Sequence, residues 1–148
     1  MSDEPTKLFS LTEAEHTRAE VEPILHDALM ARHRMNELDE KLGEVISRIN
    51  QSGGLLVSPD YVSKVRLERE GVVNIIREAL DRIQSTGCIV KDLDAGLLDF
   101  PARLNREDIY YCWRIGEDRI RFYHRQDEGF SGRKPLDPHD AGVSGSVH

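Results

Sequence analysis

Cysteine is scarce in this chain, with two in 148 residues, Cys88 and Cys112, and their separation has no metal-ligand spacing. Long apolar runs are missing. Nothing approaches the roughly 18 residues that a membrane helix needs, so no membrane span is expected. The opening stretch MSDEPTKLFS is acidic and has no apolar signal core. Together with two thiols, that points to a reducing cytoplasm. Positive charge is also short: 20 Lys and Arg stand against 27 Asp and Glu, a net charge of −7. Wholesale electrostatic capture of nucleic acid or an anionic membrane is therefore disfavoured. Hydrophobic residues reach only 39% while charged ones reach 32%. That mixture suits long solvated helices better than a thick globule. No internal repeat is present, no cofactor is expected, and no metal ligand set is assigned.

What is present comes in two styles. The stretch FSLTEAE offers a capping box, Ser10 with Glu13, and Thr12 with Glu15 repeats the pattern two residues on. Ala14, Thr17, Val21, Ile24, Ala28, Ala31, Met35, Leu38, Leu42, Val45 and Ile49 then alternate at spacings of three and four, a heptad seam. Pro23 interrupts it and predicts a kink or break near residues 19 to 23. NQSGG closes the helix at Gly53 or Gly54. SPDY opens a second helix, with Ser58 as cap and Pro59 at the first helical position. Val62, Val65, Val72, Ile76, Ala79 and Ile83 carry its seam, and Gly87 ends it. The short connection predicts an antiparallel hairpin over residues 9–87. Such long helices outreach any sheet built from the remaining chain, so the hairpin seam is expected to take a second copy or a helical protein partner.

After Gly87 the period becomes two. CIVKDL, LLDFPARL, DIYYCWRI and RIRFYH read as strands over residues 88–126, with Pro101 confined to an edge or bulge. The predicted class is α+β: a long coiled-coil-like antiparallel helical hairpin, then an antiparallel meander of three to four strands. Residues 127–136 form a Gly/Arg loop, residues 1–136 one domain, and residues 137–148 a disordered tail.

The segment YYCWRIGEDRIRFYHRQDEGFSGRKPL, residues 110–136, concentrates the single Trp, three of the four Tyr, five Arg and a His. Pairing Ile115 with Ile120 keeps the apolar residues on one face. Trp113 then faces Phe122 and Tyr111 faces His124. The outer face gains Arg114 opposite Arg121, Tyr110 opposite Arg125, and Cys112 opposite Tyr123. Opposed guanidinium groups ask for neutralisation, either by Asp99, Glu117 or Asp118 or by an anionic partner. Arg114, Arg121, Tyr123 and Arg125 thus become candidate ligand-binding residues. His124 closes the inward face. With Glu117 and Asp127 it supplies the residue types of a divalent metal site. Gly129 and Gly132 before Arg133 suggest a backbone nest for a small anionic ligand. Cys112 needs no role beyond packing.

LFSLTEAE through VEPIL, GLLDFPARL, and the block YCWRIGEDRIRFYHRQDEGFSGRKPL resemble an uncharacterised bacterial family, the domain of unknown function labelled DUF 2203, over about Leu8 to Leu136. The resemblance implies helices followed by a short β segment, and no activity, cofactor or catalytic residue. Its signature positions here are Asp99, Phe100, Pro101, Trp113, Gly116, Glu117, His124, Gly129, Gly132 and Arg133. WRIGEDRIRFYH is also similar to the last hairpin of RelE/ParE-type toxins, where basic and aromatic side chains cut messenger RNA; Arg114, Arg121, Tyr123 and Arg125 match such roles. No strand precedes the helices here, and the helices are longer. The sequence therefore presents three functions: a non-enzymatic binding or scaffold protein, a small metal protein or enzyme centred on His124, and an RNA-cleaving toxin.

Overall fold

The computed structural model describes residues 7–53 and 58–136. The predicted tail and Gly54 lie outside the described residues. The architecture is α+β: helix α1 (Leu11–Ser52), helix α2 (Pro59–Ser85), and strands β1 (Ile89–Asp92), β2 (Leu97–Leu104), β3 (Glu107–Arg114), β4 (Phe122–Arg125) and β5 (Lys134–Pro135). All five strands join one antiparallel sheet in sequence order. That is one strand more than the pattern predicts. Two-residue β5 falls in the stretch read as a loop, because its single Lys-Pro pair carries no alternation to detect.

Local chemistry sets the helix ends. The Ser10 hydroxyl accepts the Glu13 N–H at 3.1 Å, while the Glu13 carboxylate accepts the Ser10 N–H at 2.9 Å. This backbone bond holds the Glu13 carboxyl below its usual range. Replacing Ser10 with alanine leaves the Glu13 N–H without its acceptor and is expected to lower stability by about 1 kcal/mol, read as a shifted denaturation midpoint with unchanged secondary structure. Ser58 caps α2 by accepting the Tyr61 N–H. Gly53 and Gly87 end the helices with φ of +68° and +96°. The break expected at Pro23 does not occur: α1 runs through it without interruption. Pro23 and Ala19 are both exposed, so the carbonyl that loses its partner lies on the solvent side.

The chain divides into two compact units. Asp27–Ala79 is one, and residues up to His26 together with those from Leu80 onward form the other. The first is a helical pair whose buried residues Leu38, Val65 and Val72 pack with Ala31, Met35, Leu42 and Ile76. Arg34 to Glu68 at 2.6 Å and Arg69 to Asp39 at 2.5 Å tie the two helices across the seam. In the second unit, Leu98, Phe100, Ala102, Ile109, Tyr111 and Trp113 alternate onto one sheet face, and all are buried. The start of α1 covers that face. Phe9 meets Phe100 edge-on at 5.4 Å, and the Arg18 guanidinium lies 5.7 Å from the Trp113 ring centre. Within this unit Leu25 is buried and Ile24 only half so, since a sheet covers a wider stripe than a heptad seam. Pro101 sits in an interior strand, but β1 pairs only with Leu97–Asp99. Its carbonyl instead accepts the Phe9 N–H at 2.7 Å, so the missing donor points where no strand lies.

Candidate functional site

The predicted orientation of β3 holds: Trp113 is buried and Arg114 is exposed. The predicted register of β4 does not. Tyr110 pairs with His124, Tyr111 with Tyr123, and Cys112 with Phe122, one residue away from the expected alignment. Ile115 and Ile120 do not pair with each other, because the connection is wider than the four-residue turn. Gly116 turns at φ +102°, the Trp113 indole donates to the Glu117 carbonyl at 3.0 Å, and the Ile120 N–H donates to the Glu15 carboxylate of α1. Arg121 therefore lies before β4 and does not oppose Arg114.

That slip carries His124 to the face opposite Trp113. There it joins Asp99 of β2 and Cys112 of β3, which pair directly across the ladder. One ligand atom from each of the three lies within 4.8 Å of the other two, and all three residues are buried. His124 Nε2 is 3.2 Å from Asp99 Oδ1, and Nδ1 is 2.8 Å from the Arg125 carbonyl oxygen. Asp99 Oδ2 is buried and has no hydrogen-bond partner among the described residues. Burial pushes the Asp99 carboxyl above its usual range, and His124 opposes that rise. Burial, reinforced by the Asp99 charge, pushes the Cys112 thiol up to about 12. Cys88 is buried and raised for the same reasons in the same order. This is not the layout of a thiol nucleophile, which needs one ring nitrogen on sulfur and the other on a carboxylate. Here a backbone carbonyl and Asp99 occupy both nitrogens.

The other candidates scatter around this group. Arg133 makes a double ion pair with Glu117, at 3.1 and 2.9 Å, and lies 3.9 Å from the Phe122 ring centre and 4.2 Å from that of Phe130. Its guanidinium also reaches Cys112. Arg121 pairs twice with Asp118, and Arg125 pairs with Glu107 at 3.1 Å. Arg114 lies 5.9 Å from the Phe130 ring centre. Tyr123 is half-buried near Lys134, and Asp127 is exposed in the turn after β4, apart from the buried group. Gly129 and Gly132 are not among the positive-φ glycines. Close to Gly132 lies Glu128, whose carboxylate accepts the Arg125 N–H and the Lys134 ammonium. Sequence reasoning placed Asp99 outside and gave Cys112 only a packing role. The available signal was an Asp flanked by Leu98 and Phe100, opposite a Cys between aromatics.

A long helical pair, followed by a five-stranded antiparallel sheet that buries a carboxylate, a thiol and an imidazole on one face, defines an α+β protein with a polar centre inside its sheet region. Residues 7–136 match the family described as Uncharacterized conserved protein (DUF2203), and the chain belongs to it. No curated protein and no solved structure matches.

Proposed function

We propose that this chain is a binding protein that pairs with a second copy of itself through the Asp27–Ala79 helices. The observation that carries the reading is an open groove of about 600 Å³ in that unit. Leu42 and Val73 supply its apolar part, and Arg66, Arg69 and Arg77 line it beside Asp39 and Glu70. Helix α1 carries nine Asp and Glu against five Lys and Arg, whereas α2 carries five of each. An acidic α1 from a second copy complements a groove with three arginines, and apolar stripes shared among four helices bury more than a two-helix seam does. Large apolar side chains outside the seam support the same reading: Leu67 is 71% exposed, Met30 57% and Ile75 51%.

Sedimentation equilibrium of the full chain tests it. A dimer is expected, with Arg66→Glu combined with Val73→Asp weakening it by roughly tenfold or more. Leu38 is unsuitable for such a test, since it is buried inside one chain's own helical pair. A wild-type protein that stays monomeric at high concentration refutes the proposal.

A further inference from the structure

We infer that Asp99, Cys112 and His124 form a binding site for one divalent transition ion of zinc's class, independently of whether the helices associate. The Arg125 carbonyl can only accept, so the His124 Nδ1 beside it carries a hydrogen. In the neutral ring, Nε2 then presents a lone pair to Asp99 Oδ1, another acceptor, 3.2 Å away. Two acceptors at that distance need a positive centre between them. A proton would satisfy the pair, with the Cys112 thiol turned toward the Asp99 carboxylate, yet it leaves Asp99 Oδ2 buried with no hydrogen bond among the described residues. A metal ion engages all three side chains.

Geometry and ligand chemistry agree with the ion. Bonds of about 2.0–2.1 Å at tetrahedral angles put a histidine nitrogen and a carboxylate oxygen about 3.3 Å apart, close to the separation seen. The sulfur needs to move inward by about 1 Å from the 4.8 Å limit of the group, within reach of a side-chain rotation. A ring N–H held by a backbone carbonyl is the usual support of a metal-bound histidine. A carboxylate and a thiolate with a neutral imidazole cancel a double positive charge, which suits a site with almost no solvent exposure. Mixed sulfur, nitrogen and oxygen donors select zinc, cobalt or a related ion and disfavour magnesium and calcium, which take oxygen. Three protein ligands leave a fourth position for water or a small ligand. Arg133, held by Glu117 and stacked on Phe122 and Phe130, lies beside Cys112.

The test uses the full chain made without a polyhistidine tag, stripped with chelator and titrated with Co²⁺. One Co²⁺ per chain is expected, with the strong ultraviolet band of thiolate-to-cobalt charge transfer, and Zn²⁺ should abolish that band by displacement. Cys112→Ser should remove the band and Cys88→Ser should keep it. Asp99→Asn should weaken binding by roughly 100-fold or more. Absence of the band in wild-type protein, a measurement that needs no variant to fold, overturns the site. So does a band that survives Cys112→Ser.

Discussion

Trp113→Ala is expected to lower the unfolding free energy by about 3–5 kcal/mol, a large share of the roughly 5–15 kcal/mol that holds a domain of this size. The ring is completely buried between the sheet and the start of α1, and its indole N–H holds the Glu117 carbonyl. Truncation removes the largest buried side chain and leaves a cavity that the ladder to Leu98 cannot close by relaxing. It also frees the connection that sets the β3–β4 register. Trp113→Phe fills most of the space without the hydrogen bond and should recover more than half of the loss. Arg114→Ala, on the opposite and exposed face, should change stability by about 0.5 kcal/mol or less. Trp113 is the only tryptophan, so denaturation is followed by circular dichroism. A loss below about 1 kcal/mol for Trp113→Ala would contradict the buried placement.

His124→Ala, studied with chelator present, should cost about 3–5 kcal/mol near neutral pH and much less in acid. The substitution removes the imidazole partner of Asp99 Oδ1 and strands a buried carboxylate inside the sheet region. Burial already raises the Asp99 carboxyl and His124 opposes that rise, so removing the ring raises it further. A carboxyl whose folded value lies above its unfolded value, about 3.9, favours folding in its protonated form. No penalty exists below the unfolded value, and the penalty grows as pH climbs through the folded one. The wild-type Asp99 carboxyl is itself raised, so the difference between wild type and variant should widen only as pH climbs above that wild-type value and level off above the variant's. Adding Asp99→Asn to His124→Ala removes the stranded charge and should flatten the curve. A pH-independent loss would mean that the cavity alone, not the buried charge, accounts for the effect.

The two proposals concern separate parts of the chain. The groove between Asp39 and Arg77 lies within one compact unit, and the polar centre lies within the other. Sedimentation and Co²⁺ binding can thus fail independently.

Much of the architecture was legible in the letters because its causes are local. Ser10 with Glu13 and Ser58 with Pro59 mark helix starts through groups three residues apart or nearer. Spacings of three and four residues then mark the buried stripe, and alternation marks β2 and β3. Pro23 does not break α1, because an exposed carbonyl can lose its partner at little cost. Likewise, Pro101 reads as an edge residue, and only the end of β1 and the approach of Phe9 show how an interior strand accommodates it.

By itself, then, the sequence determined the α+β class, both helices, the inward turn of Trp113 and the membership of a family without a known activity. The tertiary structure decided the β4 register, because the Trp113–Glu117 bond, the Glu15–Ile120 bond and the Arg133–Glu117 pair join residues whose proximity no local pattern encodes. Side chains in a strand alternate with a period of two, so that single-residue shift moved His124 across the sheet. It left Tyr111 behind and placed the imidazole beside Asp99 and Cys112.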